Sequence, residues 1–138
     1  MTVFHKKYIL NKLEEKHLTI KIPGLDAEKG LDLFEDDVEL YLIVLRSYAD
    51  NTPPVLDKIR NVSAETLADY AIAVHGIKGT STTIGAEEIR ITAGKLEDLA
   101  RAGDLNGVLA INDSFLKQTD DLINSIQSWF KQHDAGSS

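Results

Sequence analysis

The stretch Leu67-Ala68-Asp69-Tyr70-Ala71-Ile72-Ala73-Val74-His75-Gly76-Ile77-Lys78-Gly79-Thr80-Ser81-Thr82-Thr83-Ile84 decides how this chain folds. Leu67, Tyr70, Ala71, Val74, Ile77, Ser81 and Ile84 recur at steps of three and four residues, the spacing of one face of an α-helix, and that face belongs in a core. The adjoining stripe holds His75, Lys78, Gly79 and Thr82 at i, i+3, i+4 and i+7, so these four share one surface. The preceding turns on that side present Ala68, Ala71 and Ile72, which flank the histidine and leave its imidazole open to a partner.

Working outward, Ser63 stands where it can cap this helix. Upstream, Asp36 followed by Glu39 reads as a capping box that starts a long helix near Asp36. Its apolar positions Val38, Tyr41, Leu42, Leu45, Tyr48, Ala49, Val55, Leu56 and Ile59 keep a helical period across Pro53-Pro54, where two missing amide donors predict a kink or two consecutive helices. Before it, the run from Leu25 to Phe34 after the Pro23-Gly24 turn reads as a short helix or ordered lead-in. Downstream, Gly85 punctuates the chain, and Ile89, Thr92, Ala93, Leu96, Leu99 and Ala100 mark another inward stripe ending at Gly103. Asp104 then caps a last helix, whose stripe runs from Leu105 through Asn112, Phe115 and Ile126 to Phe130.

Met1 to about Lys21 carries Phe4, Tyr8, Ile9 and Leu13 among charges, enough for an amphipathic turn or two. Leu18 to Ile22 is the one short candidate for a strand. The expected architecture is all-α, an antiparallel up-and-down four-helix bundle with an additional N-terminal helical segment. Residues 1–22 form the extension, 23–132 the domain and 133–138 a flexible tail.

At 138 residues with 43% hydrophobic side chains, the chain suits one domain with one core. A net charge of -7 makes nucleic acid an unsuitable partner. The absence of cysteine excludes disulfides, thiolate metal sites and cysteine nucleophiles, and fits a reducing compartment. Asn11, Lys12, Glu14 and Glu15 interrupt the first apolar residues, so neither a signal peptide nor a membrane span is read there, and a cytoplasmic location is expected. His5, His17 and His133 lie apart, without a second ligand at metal-binding spacing, and no metal or cofactor is expected.

The stripe around His75 carries chemistry. A neutral imidazole is a good nucleophile near physiological pH, and the phosphoramidate it forms can be passed on. Lys78, one turn away, supplies a cation for phosphate oxygens. Glycine inside a helix costs about 1 kcal/mol relative to alanine, so Gly76 and Gly79 point to something that must come close. Taken singly, each residue has a plainer explanation: a boundary histidine, a solvated lysine, a packing glycine. Ile72 on the exposed side is either a docking contact or one of the scattered apolar residues any surface carries.

Together, His75-Gly-Ile-Lys78-Gly79-Thr80-Ser81-Thr-Thr-Ile84-Gly85-Ala86 closely resembles the histidine phosphotransfer signature, His-x-x-Lys-Gly-small-small-x-x-apolar-Gly-Ala. Gly24-Leu25-Asp26 through Gly30-Leu31, Glu39-Leu-Tyr41, Leu45 and Lys95-Leu96-Glu97 extend the resemblance to this family over roughly Pro23 to Phe130. It implies that His75 is the phospho-acceptor, Lys78 the cation facing the phosphate, Gly79 the clearance position and Gly85 the turn into the next helix. Glu97 stands where family members often carry Glu or Gln near the histidine, and could orient the ring by accepting its Nδ1 proton; a surface charge is the alternative. Arg101, one turn on, is placed to meet partner or phosphate.

The function implied is a phosphorelay intermediate that exchanges a phosphoryl group with aspartates on response-regulator receiver domains, with Mg²⁺ on the receiver and a sensor or hybrid histidine kinase upstream. Ala68, Ala71, Ile72, Gly76 and Thr82 would join the contact with the partner. The sequence holds no nucleotide-binding loop, so autonomous kinase activity is not expected. Two other readings stay open: a module of a larger hybrid or chemotaxis-type kinase, and an interaction bundle never phosphorylated. A bundle closed within one chain suggests a monomer.

Overall fold

The computed structural model describes residues 20–134, and among them the regular structure is entirely helical. Five helices follow in order: α1 Ala27–Leu33, α2 Val38–Ile59, α3 Leu67–Ile84, α4 Glu87–Arg101 and α5 Leu105–Asp134. The N-terminal amphipathic turns read at Phe4 to Leu13, and the tail from Ala135, lie outside the described residues. The candidate strand at Leu18 to Ile22 is not formed over its described part; Ile20 and Ile22 are instead buried as irregular chain against the core.

The long helices close a ring, with α2 on α3, α3 on α4, α4 on α5 and α5 back on α2, while α1 packs on α3 and α2. Short connections force each long helix to run against its predecessor, which is the expected four-helix bundle. The core threads all four helices through Leu45, Leu56, Val74, Leu96, Val108, Phe115 and Ile126, each at most 1% exposed. Burying one such aliphatic or aromatic side chain contributes about 2 kcal/mol against the entropy of ordering it.

Several boundaries differ from the sequence reading for local reasons. The N-cap of α2 is Asp37, whose Oδ1 accepts the Leu40 amide at 3.1 Å; Asp36 takes a left-handed conformation, φ 61°, and its amide returns to the Leu31 carbonyl. Either aspartate offers the same side chain, and the turn out of α1 selects the second. Ser63 does not cap α3: Thr66 is the cap residue, and its Oγ1 accepts the Ser63 amide at 2.9 Å. Helix α2 runs on through Pro53 and Pro54, so two separate helices do not form. Proline's fixed φ suits the helix, and Leu56 and Ile59 beyond it are buried, so packing outweighs the two missing donors. At the other end, α5 extends through His133, whose ring stacks on Trp129 at 4.1 Å, so the helix and not the flexible tail holds residue 133.

The helix bearing His75 is fastened at both ends. Near its start, Tyr70 Oη donates to Asn112 Oδ1 and Asn112 Nδ2 donates to the Ile59 carbonyl, both at 2.8 Å. At its end, Tyr41 Oη donates to the Ile84 carbonyl at 2.8 Å. Gly85 then turns left-handed, φ 85°, while the Ala86 amide returns to the Ser81 carbonyl at 2.9 Å and the Asp26 amide donates to the Gly85 carbonyl at 2.9 Å. A Cβ on Gly85 would collide with the Asp26 carbonyl, and one on Gly30 would meet the Tyr41 ring at 2.5 Å and the Ile84 carbonyl oxygen at 2.7 Å. These two glycines let α1 seat against the end of α3.

Candidate functional site

His75 lies near the middle of α3, on the stripe its spacing predicts, with its side chain 61% exposed. Glu97, on the facing helix α4, is buried, its side chain 7% exposed, and its carboxylate turns toward α3. Glu97 Oε2 lies 2.9 Å from His75 Nδ1, Glu97 Oε1 accepts Lys78 Nζ at 2.7 Å, and Arg101 Nε donates to Oε2 at 2.9 Å. The surface-charge alternative for Glu97 is therefore not what forms.

The electrostatics of this cluster follow from its members. The Lys78 ammonium, helped by Arg101 and His75, outweighs the effect of burial and holds the Glu97 carboxyl at about 2, well below the usual carboxylate value of 4.5. An ionised carboxylate can only accept, so the hydrogen on His75 Nδ1 points at Glu97. The neutral ring then carries its lone pair on Nε2, the nitrogen left to the exposed side. The Lys78 ammonium uses one of its donors on Glu97, so in this state it attends the carboxylate while keeping two donors for another anion.

Gly76 and Gly79 are exposed, and a Cβ on either would meet nothing within 4 Å. Neither takes a positive φ. No turn and no internal close approach needs glycine at either position, although each weakens the helix relative to alanine. Gly94 on α4 is different: a Cβ there would touch the Lys78 stem at 3.5 Å, so it belongs to the wall along which Lys78 lies.

Ile72 is 66% exposed, one turn before His75, and Ala68 and Thr82 are exposed as well. Thr82 commits its hydroxyl hydrogen to the Lys78 carbonyl at 2.8 Å. Ala71 is a correction: at 3% exposure it belongs to the core and cannot take part in a surface contact. The helical rotation puts it at the edge of the stripe, between the exposed His75 and the buried Val74, and its small side chain falls on the core side. Beside the exposed stripe an open groove of about 820 Å³ runs between α2 and α3, with Val44, Val55, Ile72, Ala73, Gly76 and Thr80 among its walls.

Among the described residues no cluster of three or more His, Asp or Glu side chains is arranged to hold a metal ion, and no helix is long and apolar enough to cross a membrane. The site is thus an exposed imidazole with its inner nitrogen fixed, two cations within reach and cleared space on one flank. A family model for the Hpt domain matches residues 43–129, and the chain belongs to that family. Among curated proteins it is similar to the phosphorelay intermediate protein rdeA of Dictyostelium discoideum, 26% identical over 118 residues, which cover 82% of this chain and 46% of that protein. The chain therefore spans just under half the length of this relative. No solved structure matches it significantly.

Proposed function

We propose that the chain is a phosphorelay intermediate that carries a phosphoryl group on Nε2 of His75 and exchanges it with aspartates of receiver domains. The observation that carries this reading is the pairing of His75 with Glu97: a buried, ionised carboxylate holds the proton on Nδ1 and leaves the exposed nitrogen as nucleophile. In the forward step the Nε2 lone pair attacks the phosphorus of an aspartyl phosphate. The bond from phosphorus to the aspartate oxygen breaks, the carboxylate leaves, and the ring keeps its Nδ1 proton, so positive charge grows on the imidazole opposite Glu97. Onward transfer is the same step reversed on another receiver.

Lys78 and the space over Gly76 and Gly79 suit this chemistry. The spare ammonium donors meet phosphoryl oxygens, and the absent side chains let the partner's loops reach the ring. A receiver docked over α3 would cover Ile72 and the groove beside it, contact Ala68 and Thr82, and bring the Mg²⁺ and most of the transition-state stabilisation. The carrier itself has no step that uses ATP; a sensor or hybrid histidine kinase fills the relay through its receiver.

The test is to mix the full chain with a receiver domain loaded from acetyl phosphate in the presence of Mg²⁺. Any transferred phosphoryl group is then mapped by mass spectrometry at neutral or alkaline pH, where phosphohistidine survives. Label on His75, absent from a folded His75→Gln variant, is the expected result. A chain that takes no phosphate from a broad panel of receivers, or takes it equally well without His75, would refute the reading.

A further inference from the structure

Three groups meet at Glu97, and they do not meet it equivalently. Lys78 Nζ takes Oε1, whereas His75 Nδ1 and Arg101 Nε both take Oε2 at 2.9 Å. Arg101 stands four residues after Glu97 on α4, with its side chain 55% exposed, so it reaches the carboxylate from the solvent side and buries little of itself. Lys78 already pairs with the other oxygen at 2.7 Å, so the carboxylate keeps a cationic partner without the guanidinium. What Arg101 does is occupy the oxygen on which the histidine depends.

We propose that Arg101 is a positioning residue acting through Glu97: by sharing Oε2 it weakens the carboxylate's hold on the Nδ1 proton and keeps the phosphohistidine easy to discharge. The proposal rests on the carrier reading above and concerns the regulation of that same site. Once Nε2 carries the phosphoryl group and Nδ1 keeps its hydrogen, the ring gains positive charge. The better Oε2 is as an acceptor, the more stable that charged ring becomes and the less readily the phosphoryl group leaves. A fixed cation on the same oxygen draws its electron density away, so the balance moves toward the aspartyl phosphate of the next receiver. The opposite role, in which Arg101 only aims the carboxylate at the ring, predicts the opposite sign.

The experiment uses the full chain with Arg101→Ala, Arg101→Lys, Glu97→Gln and the Glu97→Gln/Arg101→Ala pair. Each is equilibrated with one receiver domain loaded from acetyl phosphate, and the ratio of phosphohistidine to phosphoaspartate is measured. Arg101→Ala is expected to shift that ratio toward phosphohistidine by about two- to fivefold, the size of one partly exposed ion pair, and to slow discharge to a second receiver by a similar factor. Arg101→Lys should recover most of the shift. In the Glu97→Gln background Arg101→Ala should have no further effect.

Nitrogen-15 spectra of His75 give a readout that a merely structural role would not move: the proton stays on Nδ1 in Arg101→Ala and redistributes between the two nitrogens in Glu97→Gln. An unchanged ratio, a shift toward phosphoaspartate, or a full effect without Glu97 would each overturn the proposal. A wild-type chain that accepts no phosphate would remove the carrier reading itself. A wild-type chain that carries phosphate, with an Arg101→Ala variant at the same ratio, would remove only the role of Arg101.

Discussion

Asn112 and Glu97 are both buried polar residues that join helices, and they are built on opposite plans. Asn112 accepts from Tyr70 and donates to the Ile59 carbonyl, so its partners are interior groups and the network is neutral and complete. Glu97 is charged, and each of its partners reaches solvent: the side chains of His75, Lys78 and Arg101 are 61%, 36% and 55% exposed. The first arrangement has nothing left to give and serves only to hold α2, α3 and α5 together. The second transmits a buried charge to a surface nitrogen and two surface cations. A buried polar group is best judged by where its partners end.

Three substitutions probe that contrast, from the largest effect to the smallest. Asn112→Ala leaves the Tyr70 hydroxyl and the Ile59 carbonyl without partners, and should cost about 3 kcal/mol in urea unfolding while the folded fraction still takes phosphate normally. If transfer failed in protein that remained folded, the division between the two networks would not hold. Glu97→Gln should cost less, about 1.5 kcal/mol at neutral pH, the worth of a charged hydrogen bond, but should lower the rate of phosphoryl transfer about tenfold.

The pH dependence of that loss has a definite sign. The Glu97 carboxyl sits at about 2 in the folded chain against 4.5 ordinarily, so its contribution is complete above pH 4.5 and disappears as the pH falls toward 2. The stability gap between wild type and Glu97→Gln, followed by acid unfolding, should therefore close across that window. A gap that stayed constant would mean that the carboxylate is not held by its cations.

Gly79→Ala is the smallest change and the most diagnostic. A Cβ at this position meets nothing in the chain, so the substitution should raise stability by about 0.5 to 1 kcal/mol. If the space belongs to a partner, transfer from a receiver should fall in the same variant, and more steeply for a larger side chain. Higher stability with unchanged transfer would show that the clearance serves no one.

Much of this is legible in the sequence because helices place residues by arithmetic. The spacing of His75, Lys78, Gly79 and Ile72 alone puts them on one surface of α3, and the core stripes of the four long helices follow from the same period. The arithmetic blurs at the edge of a stripe. Ala71 lies next to both faces, and only the packing of α3 shows that it belongs inside. Two adjacent aspartates offer equivalent caps, and the turn after α1 chooses between them.

Register across helices lies beyond the reach of the sequence. Glu97 is 22 positions from His75, and no local rule brings them together; family resemblance suggests the position, and the packing of α3 on α4 supplies the contact. Arg101 is placed near the site by its distance from Glu97 along α4, but that it takes the same oxygen as the histidine is a fact of geometry alone. Asn112 sits in a hydrophobic stripe with nothing to announce that it ties the end of α2 to the start of α3.

The fastening of α3 at both ends has one more consequence. With Tyr70 secured through Asn112 at one end, and Ile84 and Gly85 tied to Tyr41 and Asp26 at the other, the helix behaves as a beam on two supports, with His75 at mid-span. Loading such a beam with one small group is not expected to bend it, and amide exchange along α3 should look alike before and after phosphorylation. The chain would then store its message in a bond and not in a posture: a coin whose value changes hands while its shape stays the same.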